Sequence, residues 1–311
     1  MVPGATATGA RCGMICSMRR LAPAILLALS AQLPLGASDA SLSCWATVDG
    51  MSIHYLDSGP SRTEAVLLFV HGYSGSAANF KPLFEPLSSV ARCIAVDLPG
   101  CGRSEKPDTH YTIPFFVDFL ASFCRTIGLE KFVLVGHSMG GQIALHYIHR
   151  YPYAEGKIVL LAPDGLSGEE GIWLPLAGLG PIVDLGLMLN NRLFIEIALR
   201  ANVLFDPAYA SSEFLDSVAE SQLSPGGPRA TASITREAIG HDPVDGILPS
   251  IRQEALIVWG ENDKVLKPEW GSRFLALLPR ASLHLLPRCG HMPSIEKAVE
   301  TADLIAEFIN R

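Results

Sequence analysis

Charge is scarce in this chain: only 18% of its 311 residues are Asp, Glu, Lys or Arg, and acidic residues outnumber basic ones by 31 to 24. With 49% of residues hydrophobic, a disordered chain is excluded. Nucleic acid is disfavoured as a partner, since phosphate binding needs clustered Lys and Arg and no basic stripe follows residue 40. Cysteines are few, and the five beyond residue 40 (Cys44, Cys93, Cys101, Cys124, Cys289) fit no metal-ligand spacing. The glycine-rich loop Asp97-Leu98-Pro99-Gly100-Cys101-Gly102-Arg103-Ser104 is followed by no P-loop lysine, which removes the phosphate-binding reading. No metal and no cofactor are expected.

Long hydrophobic runs are also missing. The apolar run from Leu21 is interrupted by Pro23, Ser30, Gln32 and Pro34, short of the roughly 20 residues a comfortable span needs. With Arg19-Arg20 before it and Gly36-Ala37-Ser38-Asp39-Ala40 after it, residues 1–40 read as an export signal, started at Met14 or Met18 and cleaved after Ala37 or Ala40. An uncleaved membrane anchor is the alternative. Export would permit one or two disulfides among the five remaining cysteines, although Cys93 suits a buried strand as a small hydrophobe.

What remains suits one large domain with an insertion. Trp45–Val48 and Met51–Tyr55 predict a hairpin turned at Asp49-Gly50. Continuous apolar runs at Ala65–Val70, Cys93–Val96, Phe132–Val135, Ile158–Leu161, Ala255–Trp259 and Ser282–Leu286 predict strands of a mostly parallel, eight-stranded sheet covered by helices on both faces. Helices are expected at Ala78–Ser88, from Thr112 to Ile127, after Ser138, and at Ile295–Ile309. The alternation stops between 164 and 247, where helix-like patches broken by Gly, Pro and Asn predict an inserted helical cap. Residues 44–163 and 248–311 are the two parts of the core. The apolar stretch Gly171–Phe205 suits an acyl-binding cleft or transient contact with a lipid interface; packing on the core explains it equally well.

The most informative segment is Gly136-His137-Ser138-Met139-Gly140-Gly141, between a strand and a helix. Gly-x-Ser-x-Gly alone would occur by chance about 0.2 times in such a chain. In this context it predicts a strained turn that lifts Ser138 above the sheet edge, with helix amides aimed at the same point. Three further segments follow strand ends, where ligands bind in open parallel sheets. His71-Gly72-Tyr73 offers the Tyr73 amide, which with that of Met139 would form an oxyanion hole, while the His71 side chain is expected to bond backbone. Glu261-Asn262-Asp263 offers Asp263 as the acid that orients a histidine, with Asp164 the runner-up after the preceding strand. Gly290-His291-Met292-Pro293 offers His291 as general base toward Ser138. His137 is expected to flank the serine, His146 and His149 to be a surface pair, and Asp97 to tie its own loop to neighbouring amides.

Taken together, these segments resemble the α/β-hydrolase superfamily, in the branch carrying a helical cap. The resemblance covers residues 44–311 and is weakly similar to monoacylglycerol-lipase-like members through Leu161-Ala162-Pro163-Asp164-Gly165-Leu166. It implies a Ser138–His291–Asp263 triad acting through an acyl-enzyme on short- or medium-chain or monoacylglycerol-type esters, an exported enzyme with a small-molecule ester or lipid substrate. Serine in place of aspartate at the elbow argues against dehalogenase and epoxide-hydrolase chemistry. C–C bond hydrolysis, acyl transfer and perhydrolysis stay open on the same triad, and a catalytically silent binding protein is the remote alternative.

Overall fold

Successive side chains of a strand point to opposite faces, and here each face feeds its own core. Val70, Val96, Leu134, Leu160 and Ile257 join one buried cluster. Their chain neighbours Phe69, Ala95, Val135, Val159 and Val258 join the other. This double burial is why the strands read as unbroken apolar runs rather than alternating ones. Burying each such side chain contributes about 1.5–3 kcal/mol against leaving it in water.

The computed structural model describes residues 1, 42–61, 63–152, 156–168 and 191–311. Residues 2–40 of the predicted export segment therefore lie outside the described residues, as do residues 171–190 of the apolar stretch. The eight strands are β1 (Ser43–Val48), β2 (Met51–Asp57), β3 (Val66–Val70), β4 (Arg92–Val96), β5 (Val133–His137), β6 (Lys157–Leu161), β7 (Glu254–Gly260) and β8 (Ala281–Leu286). They form one sheet in the order β1-β2-β4-β3-β5-β6-β7-β8. β1 and β2 pair antiparallel, β2 meets β4 antiparallel, and every later pairing is parallel. The hairpin turns where expected: Asp49 and Gly50 both take positive φ, 48° and 83°, as a two-residue turn between twisted strands requires.

One face is covered by α2 (Ile113–Thr126) and α3 (Met139–Arg150), together with α7 (Glu269–Leu277); the other by α1 (Lys81–Leu87) and α9 (Ala298–Asn310). Thr112 caps α2 as predicted, its hydroxyl accepting from the Phe115 amide at 3.2 Å. The single helix expected at 78–88 is instead a 3₁₀ turn, Ala77–Phe80, followed by α1. Pro82 lies in the first turn of α1 and has no N–H to continue a ladder from upstream.

Between β6 and β7 the described residues hold α4 (Arg192–Ala198), α5 (Ser212–Leu223) and α6 (Gly227–Glu237) and no strand. A third, smaller cluster joins Ile195, Leu204, Phe214, Leu215 and Val218 of this insertion to Met292. A short helix, α8 (Pro293–Glu296), follows Met292 directly. The five described cysteines beyond residue 40 are free thiols, four of them buried. Among the described residues no helix is long and apolar enough to cross a membrane.

Candidate active site

The loops leaving β3, β5, β6, β7 and β8 carry His71, Ser138, Asp164, Asp263 and His291 respectively. Parallel pairing puts the carboxyl ends of these strands along one edge of the sheet.

Ser138 connects β5 to α3 with φ 54° and ψ −124°, a left-handed conformation that costs a non-glycine residue about 1–3 kcal/mol. The surroundings hold it there. Its amide donates to Leu161 O at 3.0 Å, and its carbonyl accepts from the Gly141 and Asp164 amides at 2.8 and 3.0 Å. The turn is also packed too closely for side chains: a Cβ on Gly136 would lie 2.4 Å from Gly140 O, and one on Gly140 would lie 2.1 Å from Val70 O. That is the physical content of the Gly-x-Ser-x-Gly spacing.

Gly72 brings the β3 loop against the serine, since a Cβ there would stand 2.8 Å from Ser138 Cβ. The Tyr73 and Met139 amides find no acceptor among the described residues. Two free donors beside a strained serine can hold an anionic oxygen. The Tyr73 hydroxyl contacts Thr235 Oγ1 at 2.8 Å, and Thr235 gives its own proton to Thr231 O, so Tyr73 donates. Through this bond the loop is tied to α6. Burial pushes the Tyr73 phenol up, keeping it neutral.

His291 Nδ1 lies 2.7 Å from Asp263 Oδ2, with both residues buried. The other Asp263 oxygen accepts the Val265 and Leu266 amides at 2.8 and 3.0 Å, which fixes the carboxylate's rotation. A carboxylate on Nδ1 sets the tautomer that leaves Nε2 as the base. No hydrogen bond joins Ser138 Oγ to His291 among those described. The structure links the loops of the two residues through the side chain of His137.

His137 is the first group that sequence reasoning undervalued. Its Nε2 donates to His291 O at 2.8 Å, and the two rings stand 4.8 Å apart. Burial, then repulsion from His291, push the His137 imidazole down to about 3, so it remains a neutral donor. Glu296 is the second, and it was missed altogether. One of its oxygens accepts the Gly290 and Met292 amides at 3.0 and 3.3 Å, bracketing His291, and the other accepts the Phe205 amide at 2.7 Å. The His291 amide donates to Val203 O at 2.8 Å. Backbone on both sides of the histidine is thereby clamped to the insertion. No local sequence signal marks Glu296 for this role, since its partners lie on other segments.

Asp164 sits near the same centre. Its amide holds Ser138 O, and its carboxylate turns to the Gly165 amide at 2.7 Å rather than to His291. Burial raises this carboxyl, opposed by that amide and by the His291 charge. His71 bonds backbone as expected: Nδ1 donates to Gly72 O at 2.8 Å and Nε2 accepts the Leu98 amide at 3.0 Å. Asp97 also ties its loop, accepting the Ala77 and Arg103 amides at 2.6 and 2.8 Å. One further partner was not anticipated: His54 Nδ1, at 2.8 Å. His146 contacts Asp242 O and His149 contacts Ser250 Oγ, and no metal-binding group occurs among the described residues.

Comparison with known proteins places this geometry in context. The family model described as alpha/beta hydrolase fold matches residues 65–298. The chain is 30% identical to the uncharacterized hydrolase YugF of Bacillus subtilis, over 85% of this chain and 96% of that protein. It is 28% identical to a 2-hydroxy-6-oxononadienedioate/2-hydroxy-6-oxononatrienedioate hydrolase of Burkholderia vietnamiensis, over 84% of this chain and 92% of the relative. Among solved structures, a bacterial membrane phospholipase A superposes with a TM-score of 0.71 at 26% identity, covering 86% of this chain and 85% of that one.

Proposed function

The chain belongs to the alpha/beta hydrolase fold family, and from that premise we propose that it is a serine hydrolase of carboxylic esters. In this reading Ser138 Oγ attacks the ester carbonyl, and His291 Nε2 takes its proton and returns it to the leaving alcohol. Asp263 holds the imidazole and stabilises its charged form. The Tyr73 and Met139 amides receive the developing oxyanion, each worth about 10²–10³ in rate. Water activated by the same histidine then frees the acid. One observation carries the reading: a left-handed serine with two free amides, whose strand-end neighbour is a buried His–Asp pair.

A second reading, C–C bond hydrolysis, is favoured by the activity for which the Burkholderia relative is named. The ester reading is supported by the likeness to a membrane phospholipase A, and short- and medium-chain esters and monoacylglycerols are the proposed substrates.

The experiment that separates the readings is a turnover profile over p-nitrophenyl esters, monoacylglycerols and a 2-hydroxy-6-oxodienoate, with fluorophosphonate labelling of Ser138. Ester turnover that disappears with Ser138 labelling supports the proposal. Faster turnover of the dienoate replaces it with the second reading.

A further inference from the structure

A second serine in this molecule has the partners of a nucleophile. Ser43 Oγ lies 2.8 Å from His54 Nε2, and His54 Nδ1 lies 2.8 Å from Asp97 Oδ2. The local fold explains the arrangement. In the β1–β2 hairpin Trp45 faces His54 and Ser43 faces Leu56, so Ser43, Trp45 and His54 share one face with Ser43 diagonal to the histidine. Asp97 directly follows β4, and its amide donates to His54 O at 3.0 Å, which brings the carboxylate beneath the ring. The Ala77 and Arg103 amides then fix both carboxylate oxygens.

The polarity of the relay follows from its acceptors. Asp97 is held ionised: burial pushes its carboxyl up, but the hydrogen bonds from His54 and from the Ala77 amide carry it below the usual range. An ionised carboxylate accepts, so Nδ1 is the donor and Nε2 is left to accept from Ser43. His54 is 3% exposed and Asp97 1%, but the outer end of the relay opens to solvent. Trp45 is 51% exposed and its ring packs 5.1 Å from the His54 ring. The Arg103 guanidinium lies over the same indole at 5.9 Å and reaches 3.5 Å from Ser43 Oγ.

We propose that Ser43 is an acyl-acceptor site, separate from Ser138, that is modified once by compact electrophilic esters. Ser43 Oγ forms a bond to the carbonyl carbon while its proton passes to His54 Nε2. The bond to the leaving alkoxide then breaks, and His54 returns the proton to it as alcohol. Arg103 supplies the positive charge beside the developing oxyanion, and Trp45 supplies an apolar wall. Ser43 lies in ordinary strand backbone, without the paired free amides found at Ser138. Its adduct therefore accumulates rather than turning over.

The test uses the full chain carrying Ser138→Ala, treated with a small fluorophosphonate and read by intact mass and peptide mapping. The expected result is a single adduct on Ser43, formed at least about tenfold faster than on the exposed Ser88, and absent when Ser43→Ala is added with melting temperature unchanged. His54→Gln should slow labelling by at least about tenfold; if that variant is misfolded, the comparison with Ser88 still decides. A folded Ser138→Ala protein with no Ser43 adduct, or with Ser43 labelled no faster than Ser88, overturns the inference. Neither outcome bears on Ser138, which is scored separately in the unsubstituted chain.

Discussion

The two buried His–Asp pairs invite direct comparison. In both, Nδ1 meets a carboxylate oxygen, at 2.7 Å in His291–Asp263 and 2.8 Å in His54–Asp97. In both, backbone amides pin the carboxylate: those of Val265 and Leu266 in one, those of Ala77 and Arg103 in the other. The difference lies beyond the ring. Near His291 stand a serine in a left-handed turn and two unengaged amides; beyond His54 stands a strand serine beside an arginine. A histidine backed by an acid is thus a common structural unit, and the backbone around its serine decides what it can accomplish.

The largest contrast should come from the serines. Ser138→Ala should lower ester kcat by about a million-fold, the scale of removing a hydrolase nucleophile, whereas Ser43→Ala should leave kcat within about threefold in steady-state assays. Equal losses would erase the distinction. The acids come next. Asp263→Asn should cost about 10⁴ in kcat by favouring the wrong tautomer. Asp97→Asn should instead lower the melting temperature, reflecting about 1–3 kcal/mol for a stranded buried group, with the activity of folded protein nearly unchanged. If Asp164→Asn, not Asp263→Asn, removes activity, the acid has been misassigned. A smaller effect is expected from Glu296→Gln: about a tenfold fall in kcat with KM steady, because alignment of His291 suffers and ester binding does not.

Acid should separate the two regions most gently. Free histidine titrates near about 6.5, whereas buried His137 is pushed down to about 3. The unfolded chain therefore takes up a proton that the folded chain refuses, and stability falls as pH drops from about 6.5 toward 3. Asp97, whose carboxyl is depressed, contributes stability that is present above about pH 4 and lost only below it. Melting temperatures at pH 7 and pH 5 should thus decline, and His137→Gln should flatten that decline. An unaltered slope in the variant would show that His137 is not its source.

Much of this was legible in sequence because it is local. Glycines at Gly136 and Gly140 announce a turn in which backbone touches backbone, and doubly buried strands announce themselves as apolar runs. The order of Ser138, Asp263 and His291 followed from which loops close strands. Partners far apart in sequence were illegible. Nothing in the hairpin indicates that His54 meets Asp97, and nothing beside Pro293 indicates that Glu296 gathers amides from Gly290, Met292 and Phe205. Asp164, the runner-up acid, follows β6, and no feature of the sequence reveals that its carboxylate turns toward the Gly165 amide. The helix expected at 78–88 broke because proline's missing donor outweighs a favourable apolar spacing.

Val203 accepts the His291 amide, and Phe205 donates to Glu296, whose other oxygen holds the loop of His291. A lid that swung open from these residues would drag the imidazole with it, so the segment 203–205 acts as a fixed hinge post rather than a moving door. Grafting a different insertion onto this scaffold to alter its diet should therefore spare these three residues. A graft that removes them would yield a well-folded protein whose chemistry idles.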